Sequence, residues 1–139
     1  GGFELKKEIS ERLRVAGHEV VDFGAHSLDP EDDYPDFVIP MARAVSRGEV
    51  ERGIALCGSG IGACIATNKV RGVRASIIED AYSARQGVEH DDMNIVCMGG
   101  RTMGIELVWQ LLETFLEARF TGAERHRRRL AKVLALEKE

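Results

Sequence analysis

The stretch Gly53-Ile-Ala-Leu-Cys57-Gly-Ser-Gly-Ile-Gly62-Ala-Cys-Ile-Ala-Thr-Asn68 contains the pattern that predicts the fold of this chain. Its first five residues form a compact apolar run, which is typical of a buried strand. The glycines after Cys57 interrupt that run, and Ala63 to Asn68 then reads as a helix. The order strand, glycine loop and helix is typical of α/β proteins.

The rest of the chain repeats this alternation. Apolar residues at helical spacing predict a first helix that stops at Gly17, and further helices near residues 36–47, 80–89, 105–120 and 126–136. Pro40 must lie in the first turn of the second helix or kink it. Strands are predicted at residues 19–23, 74–78 and 95–98. Together these elements predict a doubly wound, Rossmann-like α/β fold, with a parallel sheet and helices on both faces.

The first predicted helix has no strand before it in the sequence. Helices of a doubly wound fold connect parallel strands, so we expect a further strand that the given residues do not include. Ligands of such folds bind at the carboxyl ends of the strands. The chemistry of this chain is therefore expected in the loops that follow its strands.

Composition excludes several classes of protein. A chain of 139 residues with 44% hydrophobic residues can bury one core, which predicts a single domain over residues 1–139. A net charge of -4 disfavours a nucleic-acid binder. Three cysteines without a C-x-x-C pair or zinc-like spacing predict neither disulfides nor a metal site, which suits the cytoplasm. No apolar stretch approaches a membrane span, and no signal peptide is recognised.

Cys57 is the main candidate for a catalytic residue. Its sulfur ends a strand just before a glycine loop that opens a helix, and nearby backbone N–H groups and the helix dipole both favour a thiolate. A buried, inert cysteine is the alternative, but burial does not explain the glycines. Gly58, Gly60 and Gly62 let the backbone approach an anion, and Ser59 adds a hydroxyl group. Phosphate or an enediolate is the ligand expected to bind to this loop.

A dinucleotide site is a second interpretation of the same loop. The spacing Gly58-x-Gly60-x-x-Ala63 fits the loose dinucleotide fingerprint, and Glu79 follows about 20 residues later, where the ribose-binding acid would stand. Spacing alone leaves both interpretations open.

Two polar regions lie outside this loop. His90, within the polar run of residues 89–94, is either a general acid or base or part of a plain connector. Arg125 and Arg129 are four residues apart, so they share a helical face and can hold one phosphate together. Arg127 and Arg128 are expected to form a solvated face instead.

These residues together resemble the ribose-5-phosphate isomerase B family, which includes the subunits of galactose-6-phosphate isomerase. The likeness runs over essentially the whole chain, through Gly2-Phe3-Glu4-Leu5-Lys6, Asp33-Tyr34-Pro35, Cys57-Gly58-Ser59-Gly60-Ile61-Gly62, Ala66-Thr67-Asn68-Lys69, His90, Gly99-Gly100-Arg101 and Arg125-His126. This specific set of motifs places the dinucleotide interpretation second.

The resemblance implies an aldose–ketose isomerase of the pentose phosphate pathway, converting ribose 5-phosphate to ribulose 5-phosphate without metal or cofactor. Cys57 is then the base that moves a proton between C1 and C2, and Ser59 is the hydroxyl residue beside it. Some members use a glutamate where this chain has Ala63, so the chain resembles the cysteine class. His90 resembles the residue that opens the sugar ring, and His126 one that assists at the ring oxygen.

The resemblance also assigns the substrate-binding residues and the partner. Tyr34 is expected to contact substrate, and Arg101, Arg125 and Arg129 to bind its phosphate, some of them across the interface of a homodimer or homotetramer. Asp91 stands where an asparagine is common and is counted with the catalytic residues. Its carboxylate is expected either to share a proton with His90 or a sugar hydroxyl, or to point away from the site, and the first option would let it read the configuration of a hydroxyl.

The resemblance leaves one further expectation and one alternative. Family members begin with a strand that ends in an Asp-His pair used in ring opening, and the given sequence starts after that point. We therefore expect the chain as written to be weakly active. The alternative is a non-catalytic subunit of a paired isomerase, although the presence of Cys57, His90 and His126 favours an enzyme.

Overall fold

The computed structural model describes residues 3–24 and 31–139, so Gly2 of the predicted likeness lies outside the described residues. The helices are α1 (Phe3–Val15), α2 (Pro35–Ser46), α3 (Ile61–Asn68), α4 (Ala81–Asp91), α5 (Ile105–Glu117) and α6 (Glu124–Ala135). A 3-10 turn at Leu136–Lys138 follows α6. The strands are β1 (Gly53–Cys57), β2 (Ala75–Ile77) and β3 (Ile95–Gly99).

The three strands form a parallel sheet in the order β1-β3-β2, as the predicted α/β fold requires. All five residues of the central strand β3 are buried, which is typical of a parallel strand covered on both faces. Val96 and Met98 face a core shared with α1, α4 and α5, and Ile95 and Cys97 face a core shared with α2 and α3. The prediction of helices on both faces is confirmed.

Two helix boundaries differ from the predictions in ways that matter for the site. α4 runs to Asp91, so His90 and Asp91 lie in its last turn and not in a connector. Asp92, at φ 53°, ends the helix. Pro40 lies inside α2, beyond the predicted first turn, because the helix already starts at Pro35. The Pro40 ring cannot donate to the Asp36 carbonyl, so this helix lacks one internal hydrogen bond.

The predicted strand at residues 19–23 is wrong. The segment forms no strand, because a strand needs a hydrogen-bonded neighbour and β1 and β3 pair only with each other and with β2 among the described residues. A cavity of about 570 Å³ lies between this segment and β1 and is lined by both. Lys6 Nζ of α1 pairs with Asp22 Oδ2 at 3.0 Å and ties the segment to the rest of the fold.

In the described part of the chain, no helix is long and apolar enough to cross a membrane.

Candidate functional site

Cys57 ends β1 beneath the glycine loop that starts α3. The backbone N–H of Gly60 donates a hydrogen bond to Cys57 Sγ at 3.1 Å. Gly60 has φ 87°, a conformation that favours glycine, and a Cβ there would lie 3.2 Å from the Met98 backbone nitrogen. The loop therefore folds tightly over the sulfur and directs one backbone donor at it. A donor in this position stabilises a thiolate.

A second loop, which follows β3, holds the first one in place. The Gly100 N–H donates to the Cys57 carbonyl at 2.7 Å, and the Arg101 N–H donates to the Gly58 carbonyl at 3.0 Å. A Cβ on Gly99 would lie 2.6 Å from Ser59 Cα. The two loops thus pack backbone against backbone, and this packing places the exposed Arg101 beside Gly58.

Tyr34 covers the same region from the start of α2. A Cβ on Gly62 would lie 2.6 Å from Tyr34 Oη, so the tyrosine ring packs on the first turn of α3 only because Gly62 lacks a side chain. Ser59 is exposed, and its Oγ accepts from the Ile61 N–H at 3.3 Å. We call Tyr34, Cys57, the loop Gly58–Gly62 and Arg101 the cysteine site.

The remaining predicted residues lie in a second group, which we call the histidine cluster: His90, Asp91, Arg125, His126 and Arg129. The rings of His90 in α4 and His126 in α6 stack with their centroids 4.1 Å apart and their planes 26° apart. His126 is only 2% exposed. The two helices therefore hold the rings as one unit.

Each histidine ring is fixed by a polar neighbour at Nδ1. Gln86 Nε2 lies 3.1 Å from His90 Nδ1, and Thr121 Oγ1 lies 2.5 Å from His126 Nδ1. Sequence reasoning found neither Gln86 nor Thr121. Gln86 stands one helical turn before His90, which is a usable signal, whereas Thr121 lies in the irregular segment before α6 and carries none.

The surroundings of His126 favour its neutral form. Burial is the main cause that holds the pKa of His126 below its ordinary value, and the neighbouring His90, Arg125 and Arg129 act in the same direction. Asp91 acts in the opposite direction. A neutral imidazole can accept a proton in acid–base chemistry at neutral pH, and the imidazolium that results can donate it again.

The arginines of α6 differ in their availability. Arg128 pairs with Glu124 at 2.7 Å, as expected for a solvated helical face. Arg125 and Arg129 are exposed on the same helix and have no carboxylate partner among the described residues. These two guanidinium groups are therefore free to bind an anion.

One chain does not bring its two groups together. The cysteine site lies at the carboxyl ends of β1 and β3, whereas α4 delivers His90 to the amino end of β3. β3 has five residues and spans roughly 13 Å between these ends. The predicted set of site residues is therefore divided between opposite ends of the sheet.

The dinucleotide interpretation fails on strand order. In a dinucleotide-binding fold, the acidic residue follows the strand adjacent to the one that precedes the glycine loop. Here β3 separates β1 from β2, so Glu79 after β2 is not in that position.

Comparison with known proteins agrees with this geometry. A family model described as Ribose/Galactose Isomerase matches residues 1–133. The chain belongs to this family. Among its relatives, ribose-5-phosphate isomerase B of Escherichia coli is 40% identical over 136 residues, which cover 98% of this chain and 90% of the relative.

Solved structures of the family share the fold. Ribose-5-phosphate isomerase B of Clostridium thermocellum is 45% identical with a TM-score of 0.94, and the match covers 99% of this chain and 92% of that one. The enzyme of Mycoplasma genitalium with bound ribulose-5-phosphate is 39% identical with a TM-score of 0.93, covering 99% of this chain and 91% of that one. The predicted family resemblance is confirmed.

Proposed function

We propose that this chain is an aldose–ketose isomerase that interconverts ribose 5-phosphate and ribulose 5-phosphate in the cytoplasm. Family membership supports the class of reaction, and the ribulose-5-phosphate bound to the Mycoplasma genitalium relative supports the substrate. The main structural support is the hydrogen bond from the Gly60 N–H to Cys57 Sγ. This donor favours a thiolate base at the start of a loop whose backbone can bind an anion.

Cys57 moves the proton in this proposal. Its thiolate takes the proton from C2 of the open-chain aldose phosphate, which leaves an enediolate, and returns that proton to C1 while the C2 hydroxyl proton moves to O1, so that C2 becomes the ketone carbonyl. Backbone N–H groups of the glycine loop and the Ser59 hydroxyl stabilise the negative oxygen. Arg101, Arg125 and Arg129 bind the phosphate, which does not react.

In this proposal, the histidine cluster opens the sugar ring. Ribose 5-phosphate is mostly cyclic, so before C2 can be deprotonated the C1–ring-oxygen bond must break, with loss of a proton from the C1 hydroxyl and gain of a proton by the ring oxygen. We assign this step to His90, with His126 assisting. Their Nδ1 atoms are engaged by Gln86 and Thr121, which leaves Nε2 for the sugar.

A second copy of the chain completes each site. The two groups of residues lie at opposite ends of the sheet, so the cysteine site of one copy needs the histidine cluster of the other. Ile61 and Ile65, one turn apart on α3 beside the cysteine site, are 55% and 59% exposed and supply an apolar surface for this contact. A two-fold dimer builds two such sites, and dimers can pair into tetramers.

The test separates proton transfer from ring opening. Ribulose 5-phosphate cannot close a ring through its phosphorylated C5 oxygen, so exchange of its C1 protons with deuterium requires Cys57 chemistry but no ring opening. Exchange by the parent chain, measured by NMR, is the expected result. Absence of exchange at saturating ribulose 5-phosphate would contradict the proposal and favour a non-catalytic, sugar-phosphate-binding subunit.

Asp91 is proposed to read the configuration of a sugar hydroxyl. A free carboxylate near a phosphate dianion is unfavourable, so Asp91 either binds to His90 or a sugar hydroxyl or points away, and the first option is the one that makes it a reader of the substrate. Asp91→Asn should then raise kcat/KM for ribose 5-phosphate relative to allose 6-phosphate and galactose 6-phosphate. An unchanged ratio among the three would show that Asp91 does not choose the substrate.

A further inference from the structure

Thr121 lies in the irregular segment between α5 and α6 and connects the two helices of the histidine cluster. Its backbone N–H donates to the Glu89 carbonyl at 3.0 Å. Glu89 lies in the last turn of α4, where helix carbonyls lack partners within the helix. The Thr121 hydroxyl accepts from the N–H of Ala123, the residue that precedes α6, at 3.2 Å. Backbone groups thereby anchor Thr121 to the end of one helix and the start of the other.

The Thr121 hydroxyl also contacts the His126 ring. Its Oγ1 lies 2.5 Å from Nδ1 of His126, the third residue of α6. A hydroxyl group has one proton to donate and two lone pairs that accept. It can therefore accept from an Nδ1–H while it still accepts from Ala123. Thr121 is exposed, so its own proton can be donated to water.

The other ring nitrogen of His126, Nε2, is the one that reaches the surface. In the described part of the chain, no buried side-chain nitrogen or oxygen lacks a hydrogen-bond partner. Nε2 has no partner among these residues, so it is not fully enclosed, although His126 as a whole is only 2% exposed. A sugar can therefore exchange a proton with Nε2, whereas the Thr121 hydroxyl covers Nδ1.

Proton exchange at Nε2 determines where the neutral ring must carry its proton. In ring opening, the C1 hydroxyl loses a proton and the ring oxygen gains one, so an assisting imidazole must take a proton and give it back. Only the nitrogen without a proton can accept one, so the neutral ring must carry its proton on Nδ1. That Nδ1–H needs an acceptor, because an unpaired buried donor is costly. Thr121 is placed to supply this acceptor, as a third group orients the base of a catalytic pair.

We propose that Thr121 is a positioning residue for ring opening: its hydroxyl accepts the Nδ1–H of His126 and so keeps Nε2 free to exchange a proton with the sugar. Thr121 acts through His126 and not on the sugar. The role in ring opening rests on the proposed isomerase function, whereas the position of the His126 proton is a property of the folded chain. The two are therefore tested separately.

Nitrogen NMR of the isotope-labelled chain tests the proton position without substrate. At about pH 8, above the ordinary pKa of histidine, the parent should carry the His126 proton on Nδ1 and not on Nε2. Ring nitrogens with and without a proton have well-separated chemical shifts, and His126→Asn identifies the signals by their loss. Thr121→Val should move the proton to Nε2, wholly or in part, and Thr121→Ser should leave it on Nδ1. A parent ring with its proton on Nε2 would overturn the proposal, even if the valine variant failed to fold.

Kinetics test the role in ring opening. Thr121→Val should lower kcat/KM for ribose 5-phosphate by roughly tenfold or more, yet leave C1 exchange on ribulose 5-phosphate within about twofold, because that exchange needs no ring opening. Thr121→Ser, which keeps the hydroxyl, should restore turnover. Thr114→Val is the matched control, because the Thr114 hydroxyl donates to the Gln110 carbonyl within α5, and it should change neither reaction.

The outcomes separate Thr121 from the isomerase function. Equal losses of both reactions in Thr121→Val would show a merely structural role and overturn the proposal, and so would unchanged turnover of ribose 5-phosphate. No C1 exchange by the parent would instead contradict the isomerase function and, with it, the role in ring opening. The NMR result would then still decide whether Thr121 sets the proton position of His126.

Discussion

The cysteine site and the histidine cluster are built by different means. Backbone contacts hold the cysteine site, where Gly60, Gly62 and Gly99 let two loops and Tyr34 approach each other closely. Side chains hold the histidine cluster, where two rings from separate helices stack. The cysteine site presents fixed N–H groups to the charge that develops when Cys57 removes a carbon-bound proton, whereas the histidine cluster holds two side chains that exchange protons with sugar oxygens. The difference matches the roles proposed for the two regions and can be tested from either side.

The largest effect is expected from Cys57→Ala. Removal of the proposed base should lower kcat on ribulose 5-phosphate by roughly 10³-fold, the middle of the range for general acid–base catalysis. Substrate affinity, measured by calorimetry, should stay nearly unchanged because the phosphate ligands remain. Cys64→Ala, a partly buried thiol in the same helix-loop unit, is the matched control. Activity of the Cys57 variant within about tenfold of the parent, or about 1.4 kcal/mol, would exclude Cys57 as the base.

Mixing two inactive variants tests whether the regions meet across a dimer. Cys57→Ala and His126→Asn chains, unfolded and refolded together, should form mixed dimers with one intact site. About a quarter of the parent activity should return, since about half of the dimers are mixed and half of their sites are intact. The double variant refolded with parent chains gives mixed dimers whose two sites are each damaged, and is the control. No recovery on mixing would place both regions of a working site in one chain.

Gly99→Ala tests the backbone construction of the cysteine site. The new Cβ would lie 2.6 Å from Ser59 Cα and 2.7 Å from the Gly58 carbonyl oxygen, neither of which can move without moving the loop. We expect a loss of stability of about 1–3 kcal/mol in urea unfolding, together with lower kcat. Gly104→Ala is the control, because φ there is -78° and nothing lies within 4 Å of its Cβ. Equal effects of the two changes would show that the loop contact is unimportant.

The arginines of α6 should show a smaller effect, confined to binding. Arg125→Ala and Arg129→Ala should each raise KM by about tenfold with little change in kcat, since the phosphate is bound alike in ground and transition states. Arg127→Ala, on the same helix, should change KM less than about twofold. Equal losses in all three variants would indicate a diffuse basic patch and would contradict the proposal that Arg125 and Arg129 bind the phosphate as a pair.

The sequence predicted one region of the site far better than the other, for a physical reason. Cys57 and its glycines are adjacent in the chain, and a strand followed by a glycine loop has few possible geometries. His90 and His126 are distant in sequence, and only the packing of α4 against α6 stacks their rings. Gly99 belongs to a sequence motif, but its contact with Ser59 depends on the register of β1 and β3, which the motif does not predict.

The fold shows the same contrast. The predicted bounds of β1 agree with the structure because the apolar run starts at Gly53 and is interrupted by Gly58 directly after Cys57. The segment 19–23 contains Val20 and Val21 but pairs with none of the three strands in the described part of the chain, and strand formation is decided by the neighbour. The local sequence pattern therefore predicts a segment that could form a strand, but it does not predict whether a neighbouring strand is present to pair with it.

The smallest expected effect concerns the pH dependence of stability. Burial and nearby positive charge hold the pKa of His126 in the folded chain below its ordinary value, so the unfolded chain binds this proton first on acidification. The free energy of unfolding should therefore be fully retained above about pH 6.5 and decline below it, through the lowered pKa of the folded state. His126→Gln should reduce the slope of stability against pH by up to about one proton in this window, measured by urea unfolding between pH 5 and 8.

His18→Gln, at an exposed position, is the control. A slope that is the same in the parent and the His126 variant would show that the histidine cluster does not resist protonation, and would leave it without the property that most distinguishes it from the cysteine site.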